Sequence, residues 1–147
     1  MVTEINNQLK SIYEPYLNEL KTLSSEQADK FSFPLLMSVF NDYATVKHKV
    51  LYVGKETYGW LDTMDNSEKL TVDLLTDTYI DFEFAKDYHG RNSPFWRFIK
   101  TFHSKLNGEN SENGFLWTNF SKCDSNGTTP DYNLQKLNDK GFDLLLD

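Results

Sequence analysis

The sequence predicts an α/β fold built on a small parallel sheet. Two short runs rich in leucine, β-branched and aromatic residues, 49–53 and 115–120, are typical of buried strands. A strongly periodic helix at 94–107 lies between them. The predicted order is helix, strand, helix, helix, strand, helix, the pattern of parallel strands joined by short crossovers. We therefore expect the two strands to be parallel neighbours, with helix 94–107 packed across one face of the sheet.

Length and composition predict one domain, residues 1–147, in a reducing compartment such as the cytoplasm. The aromatic content of 15% is sufficient for a hydrophobic core. Cys123 is the only cysteine, so an internal disulfide is excluded. No apolar run reaches the length needed to cross a membrane. The net charge of −7 argues against a general electrostatic attraction to nucleic acid or acidic lipid. None of these properties indicates an oligomeric state.

The first forty residues predict one helix and one irregular segment. Apolar residues recur every three or four positions through 3–23, which indicates an amphipathic helix. Pro15 lies inside this pattern and is expected to kink or split the helix. Residues 31–40 are apolar but include Pro34, so we expect a packed irregular segment with room for one helical turn.

The strand at 49–53 leads into a turn that carries functional groups. Gly54 ends the strand, and Gly59 indicates a second position with unusual backbone dihedral angles or a close neighbour. Glu56 and Tyr58 lie between the two glycines, and Trp60 follows. Because ligands bind at the carboxyl ends of strands in open parallel sheets, this turn is the candidate site. The alternative is an ordinary polar turn.

The segment 61–83 is strongly acidic, with seven Asp or Glu residues and one Lys. Asn66 or Ser67 is predicted to cap a helix within it. The apolar residues expected to face the core are Leu70, Leu74, Leu75, Tyr79 and Phe82. The acidic residues are interpreted as a solvated helix face, and a DNA-mimicking surface is the alternative.

The charge reverses in the stretch 86–105. Its basic residues are Lys86, Arg91, Arg97, Lys100 and Lys105. Ser93 and Pro94 suit the N-cap and the first position of a helix, and Gly108 suits its end. The predicted apolar face consists of Phe95, Phe98, Ile99, Phe102 and Leu106. The basic residues are either the outer face of this helix or phosphate contacts, which we would assign to Arg91, Arg97 and Lys100.

Asn119, near the end of the second strand, is a candidate ligand-binding residue. Its side-chain amide offers one donor and one acceptor to a planar ligand edge, or it ties down its own loop. A long polar loop, 121–131, and a predicted helix, 133–147, follow.

Several kinds of site are excluded because the motifs that identify them are absent. The sequence has no P-loop, no G-x-G-x-x-G and no G-x-S-x-G. The three histidines are dispersed, and no Cys/His pair has zinc-ligand spacing. No metal or cofactor is therefore predicted.

The residues at the two strand ends resemble motifs of the uracil-DNA glycosylase-like superfamily. Residues 54–59, Gly-Lys-Glu-Thr-Tyr-Gly, are similar to the first family motif, Gly-Gln-Asp-Pro-Tyr-His or Gly-Glu-x-Pro-Gly. Ser93 and Pro94 begin a helix similar to the one that follows in the family, and residues 116–119, Leu-Trp-Thr-Asn, are similar to a Leu-Leu-Asn strand. The resemblance covers residues 49–147 and extends to a bacterial branch with the motif Val-Gly-x-Glu-Thr-x-Gly-Trp.

The resemblance implies a three-layer α/β/α fold and a pocket for a nucleobase or single-stranded nucleic acid. It implies that Glu56 activates a water molecule and that Asn119 binds the base edge. Gly54, Tyr58 and Trp60 would complete the base-binding surface.

The sequence also departs from the family. The family proline is replaced by Thr57, and the last motif, a His-Pro-Ser type loop with a catalytic histidine, has no counterpart. The chain is therefore expected to be truncated or to be a reduced relative of the fold, and to excise bases inefficiently. An acidic interaction module or DNA mimic without enzymatic activity remains the alternative.

Overall fold

The structure is a computed structural model that describes residues 1–22, 28, 30–86 and 92–146. Its main elements, in chain order, are helix α1 (Val2–Lys21), strand β1 (Leu51–Gly54), helix α2 (Val72–Phe82), helix α3 (Pro94–Asn107), strand β2 (Leu116–Asn119) and helix α4 (Tyr132–Asp143). Short 3₁₀ turns occupy Asn41–Ala44, Met64–Lys69 and Glu83–Ala85. The predicted mixed α/β class is confirmed.

The two strands form a parallel pair, as the sequence predicted. Tyr52 pairs with Trp117, and the last residues of the strands, Gly54 and Asn119, pair with each other. The observed strands are slightly shorter or shifted relative to the predicted ranges. The register brings the carboxyl ends of β1 and β2 to the same edge of the sheet.

Helix α1 runs without interruption through Pro15, so the prediction that the proline splits it is wrong. Tyr13 precedes the proline, and its hydroxyl donates to the Met37 carbonyl at 3.0 Å. Tyr16 and Leu17 follow the proline and are also buried. Because the helix is packed on both sides of Pro15, tertiary contacts outweigh the roughly 3 kcal/mol that an interior proline costs. Residues 23–27, which include the predicted end of the helix, lie outside the described residues.

The predicted irregular segment, 31–40, is confirmed and forms part of the core. Residues 32–39 are all buried. Two of its amides bridge to distant loops: Phe33 donates to the Asp62 carbonyl at 2.7 Å, and Leu35 donates to the Lys122 carbonyl at 2.8 Å. The segment therefore supports both loops that leave the sheet edge.

Helix α2 begins later than the sequence predicted. Its N-cap is Thr71, whose hydroxyl accepts a hydrogen bond from the Leu74 amide at 3.1 Å. Asn66 and Ser67, the predicted caps, lie in the preceding 3₁₀ turn. Thr71 supplies the same capping oxygen immediately before the helical segment that packs. Leu74, predicted to face the core, is partly exposed.

Helix α3 has the predicted ends but a different buried face. Ser93 caps its first turn and Gly108 follows its last residue. The buried residues are Trp96, Ile99 and His103, which were not grouped together in the prediction. The predicted face is therefore wrong except at Ile99 and the partly buried Leu106. Phe95, Phe98 and Phe102 are exposed.

The choice of face follows from packing against the sheet. The Trp96 indole lies 4.9 Å from that of Trp117, between ring centroids. His103 contacts Tyr52 and Phe115 edge-on, at 6.2 and 5.1 Å. Burial lowers the pKa of His103, which favours the neutral imidazole in this aromatic environment.

Helix α4 begins at Tyr132 with Asp131 as its N-cap. It ends at Asp143, whereas the predicted helix extended to residue 147. Gly141 is a close-packing position on this helix. A Cβ there would lie 2.4 Å from the Tyr16 ring of α1, so glycine is required for this helix contact. None of the described helices is both long and apolar enough to cross a membrane.

Candidate functional site

A cavity of about 560 Å³ opens at the carboxyl ends of β1 and β2. Its walls come from the loop 54–61, the end of α2, the first turn of α3 and the end of β2. Five residues selected from the sequence line it: Gly54, Glu56, Tyr58, Trp60 and Asn119. The sequence therefore located the cavity, while the chemical role of each residue stays a prediction.

Gly54 permits the closest contact in the site. A Cβ on this residue would lie 2.2 Å from Oδ1 of Asn119 and 3.3 Å from its Cγ. No pair of non-bonded heavy atoms tolerates such a separation, so only glycine at position 54 allows the Asn119 amide to cross over β1. Gly54 thus serves close approach. Gly59 has the unusual backbone expected of it, with φ of +73°.

The Asn119 side-chain amide borders the cavity and has no hydrogen-bond partner among the described residues. The residue is 2% exposed, and its backbone carbonyl accepts from Nζ of Lys122 at 2.7 Å. Its side-chain amide makes no hydrogen bond to another described residue, so it does not tie down its own loop. A ligand in the cavity could therefore pair with this amide without displacing a hydrogen bond within the described residues.

The rest of the cavity wall is largely aromatic. The Trp60 ring meets Phe82 edge-on at 5.2 Å and Trp117 at 6.1 Å. Phe95 and Trp96 of α3 complete the wall. The indole N–H groups of Trp60 and Trp117 are buried and have no partner among the described residues. The wall therefore offers flat apolar surface to a ring-shaped ligand.

Glu56 lies at the rim of the cavity in a small polar cluster. Its carboxylate is 3.3 Å from Nζ of Lys55 and accepts a hydrogen bond from the Thr129 hydroxyl at 3.3 Å. Lys55 also donates to the Thr129 hydroxyl at 2.9 Å. These contacts hold the carboxylate in place while leaving it partly exposed. A rim carboxylate held this way is able to orient a water molecule.

Asp124, which the sequence did not single out, organises the loop. Its buried carboxylate accepts hydrogen bonds from the Thr57 hydroxyl at 2.5 Å and the Gly59 amide at 2.8 Å through one oxygen. Its other oxygen accepts from the Gly127 amide at 2.6 Å. The local signal was the sequence Asp-Ser-Asn-Gly, typical of a turn closed by an aspartate side chain. The bonds to Thr57 and Gly59 carry no local signal because they link distant segments.

Tyr58 is the most exposed aromatic residue at the mouth of the cavity, with 84% of its surface accessible. Its ring lies over Gly127, where a Cβ would be 3.4 Å from Cε2. The two glycine-containing loops therefore meet at the cavity mouth.

Lys122 is a second residue that sequence reasoning missed. It is fully buried, and Nζ donates to the Thr118 hydroxyl at 2.6 Å and to the Asn119 carbonyl at 2.7 Å. Its ammonium also lies 5.1 Å from the centre of the Phe142 ring. Burial lowers the pKa of Lys122 to about 7. A lysine in a polar loop gives no sequence signal of burial, yet this one anchors the backbone of Asn119.

Of the three predicted phosphate contacts, Arg97 and Lys100 lie three residues apart on α3, and their role stays a prediction. Arg91 lies outside the described residues. Arg97 is exposed on α3. Lys100 lies toward a second, polar cavity of about 530 Å³ that also includes Glu83 and His103.

No described histidine lines the aromatic cavity. His103 is buried on the face of α3 that packs against the sheet. The backbone of His48 is hydrogen-bonded to the Asn107 side chain. His89 lies outside the described residues. Within the described part of the chain, the cavity therefore combines an aromatic wall, the Asn119 amide and two carboxylates, those of Glu56 and Asp81.

No family model, curated protein or solved structure matches this chain.

Proposed function

We propose that the cavity binds a nucleobase, either free or presented by single-stranded nucleic acid. The observation that carries the proposal is the unpaired Asn119 amide, which lies against Gly54 and lines the cavity. An amide offers one donor and one acceptor side by side, the pattern that complements a pyrimidine edge. The surrounding rings of Trp60, Trp96 and Trp117 provide surface for the base faces.

We further propose that the chain is a uracil-DNA glycosylase-like protein with a three-layer α/β/α arrangement. In support, the two segments that resemble the family motifs, 54–59 and 116–119, meet at the ends of parallel strands. Glu56 lies on the same cavity and is positioned to orient a water molecule.

Efficient base excision is not part of the proposal. Breaking the bond between base and sugar builds negative charge on the leaving base, and donors placed there supply much of the rate. No described histidine lines the cavity to act as such a donor. Removing one donor of this kind typically costs about a hundredfold to a thousandfold in rate. We therefore assign the site to binding.

The binding assay is a titration of uracil, cytosine, thymine and adenine, followed by tryptophan fluorescence. Three tryptophans line the cavity, so an occupying base is expected to quench the emission. Asn119→Leu keeps the side-chain volume and removes the donor and acceptor, and we expect it to weaken pyrimidine binding about tenfold or more. Asn133→Ala, at an exposed asparagine on α4, is the matched control and should bind like the wild type. Absence of binding to every base, or equal binding by Asn119→Leu, contradicts the proposal.

Excision is tested separately on uracil-containing single- and double-stranded DNA, with a gel that detects abasic sites. We expect no efficient cleavage. Robust cleavage that disappears in Glu56→Gln would show that the site is catalytically complete.

The acidic DNA-mimic alternative has weaker support. Asp77 and Asp81 of α2 are exposed four residues apart, as a solvated face requires. Asp73 on the same helix is already paired with Lys10 at 2.6 Å. Since this surface combines internal pairing with ordinary solvent exposure, we favour base binding.

A further inference from the structure

We propose that an aromatic stripe on α3, Phe95–Phe98–Phe102, is a docking track for single-stranded nucleic acid that leads into the cavity. The inference rests on the proposed function only for the end of the track, where the base would enter. The track adds which polymer binds, single-stranded nucleic acid, and the path along which it reaches the cavity.

The stripe is apolar surface that α3 does not use to pack against the sheet. Phe98 is 63% exposed and Phe102 is 45% exposed, although α3 already buries a complete face against the sheet through other residues. The three phenylalanines are spaced three and four residues apart and so lie along one side of the helix. The rings of Phe98 and Phe102 are 5.7 Å apart between centroids and nearly parallel, at 13°. A contiguous exposed apolar surface of this kind is typical of an interaction site.

One end of the stripe lies at the cavity. Phe95 is part of the cavity wall, and its Cζ is 3.5 Å from the position that a Cβ on Gly54 would occupy. The same position borders the Asn119 amide. From Phe95 to Phe102 the helix rises about 10 Å, since each residue adds about 1.5 Å. A strand stacked along the stripe would therefore reach the candidate base-binding amide.

The charges around α3 complement a phosphate backbone. The helix contains Arg97, Lys100 and Lys105 and no Asp or Glu, in a chain of net charge −7. Lys105 follows Phe102 by three residues and Phe98 by seven, which places it on the stripe side of the helix. Lys100 lies toward the Glu83 cavity, so its charge is directed elsewhere.

The segment 47–49 lies against the last residue of α3. The Asn107 side chain accepts from the His48 amide at 2.8 Å and donates to the His48 carbonyl at 3.0 Å. This pair of bonds fixes the segment 47–49 against the last residue of α3. Lys47 and Lys49, on either side of His48, are exposed. The Lys49 ammonium donates to the Tyr43 carbonyl, so the cation that supports the track is Lys105.

These features favour single-stranded nucleic acid over a protein partner or a duplex. Exposed rings with a basic fringe are the usual elements of single-strand binding, because the rings stack on bases and the cations contact phosphates. A duplex hides its base faces and would leave the phenylalanines in contact with water. A protein partner for the same surface is a separate outcome of the experiment below.

The experiment measures fluorescence anisotropy of a labelled oligothymidine of about ten nucleotides, a length within the site sizes of single-strand binders. We expect Phe98→Ala/Phe102→Ala to weaken binding about tenfold or more, because each stacked ring contributes substantially. We expect Lys105→Gln to reduce the slope of log K against log salt by about 0.7, the value for one lost phosphate contact on a single strand. Tyr132→Ala is the matched control because Tyr132 is an exposed ring on α4 with the Lys136 ammonium 4.6 Å above it. It should bind within about twofold of the wild type if the track is specific to α3.

Free-base binding separates this inference from the proposed function. Phe98 and Phe102 do not line the cavity, so the double variant should bind free base like the wild type. Oligonucleotide binding that depends on the two phenylalanines supports the track even if Asn119→Leu has no effect on free base. Wild-type protein that does not bind the oligonucleotide, or a double variant that binds it equally well, overturns the track and leaves the cavity proposal standing. A wild-type dimer that dissociates in the double variant, measured by sedimentation without nucleic acid, assigns the stripe to self-association and also overturns the track.

Discussion

Replacing Gly54 with alanine adds one methyl group where the last residue of β1 meets the Asn119 side chain of β2. The new Cβ would lie 2.2 Å from Oδ1 of Asn119, whereas an ordinary contact needs at least about 3.4 Å. The amide must therefore move by more than 1 Å. It has little room to do so because Asn119 is almost fully buried and Lys122 holds its backbone carbonyl. Overpacking of this kind typically costs about 1–3 kcal/mol.

We expect Gly54→Ala to unfold at lower urea concentration and to weaken pyrimidine binding by about tenfold or more, since the displaced amide no longer meets the base edge. Gly108→Ala is the control for stability alone. Gly108 has φ of +92° with nothing near its would-be Cβ, so alanine there adds backbone strain far from the contact. The reasoning is refuted if Gly54→Ala binds base like the wild type, or if Gly108→Ala loses as much affinity as Gly54→Ala.

Three further predictions follow from other contacts. Burial lowers the pKa of Lys122 to about 7, so the unfolded chain binds more protons than the folded one between that pH and about 10.4. The free energy of unfolding should therefore rise from pH 7 to 9, by up to about 1.4 kcal/mol per unit, and urea denaturation of Lys122→Met should lack this rise. Asp124→Asn replaces one acceptor oxygen with a donor opposite the Gly59 amide or the Gly127 amide. We expect the free energy of unfolding to fall by about 1–3 kcal/mol and hydrogen exchange to become faster at both amides. Unchanged exchange would contradict the role of the carboxylate. Pro15→Ala restores a helical hydrogen bond at an exposed position and should raise the thermal midpoint, whereas a fall would show that the ring stabilises α1.

Local patterns predicted the elements of the fold. The two strands are short apolar runs, and their parallel pairing followed from the helical crossover between them. The ends of α3 were also predictable, because Ser93 and Gly108 act within one turn of the helix. The prediction that Pro15 splits the helix was wrong because it considered the local cost without the packing of the flanking tyrosines.

The buried face of α3 required information that periodicity lacks. The helix has apolar residues on two adjacent sides. One side includes the exposed Phe98, and the other includes the buried Trp96. Their spacing is equally helical, so the choice depends on whether the Trp117 indole is there to pack against. The composition of α3 made both sides available and the sheet selected one.

The candidate site was predictable in position and only partly in construction. Glu56 and Asn119 could be placed at neighbouring strand ends from the sequence. Asp124 was missed because its partner Thr57 lies 67 positions away in the sequence. Lys122 was missed because a lysine in a polar loop gives no sequence signal of burial, although its hydrogen-bond partners are only three and four residues away. The contact between Gly54 and Asn119 was missed because the two residues are far apart in sequence.

The hydrogen bonds of Asp124 also determine when the binding loop can form during folding. Its carboxylate joins Thr57 across 67 positions, and its amide donates to the Ser32 hydroxyl across 92 positions. Contacts between such distant parts of the chain close large loops, and their entropic cost is met only after much of the chain has been ordered. We therefore expect the loop that carries Glu56 to be completed late and to open together with the segment around Asp124. A ligand that requires the closed loop would stabilise the molecule against this opening and would leave the earlier steps of folding unchanged.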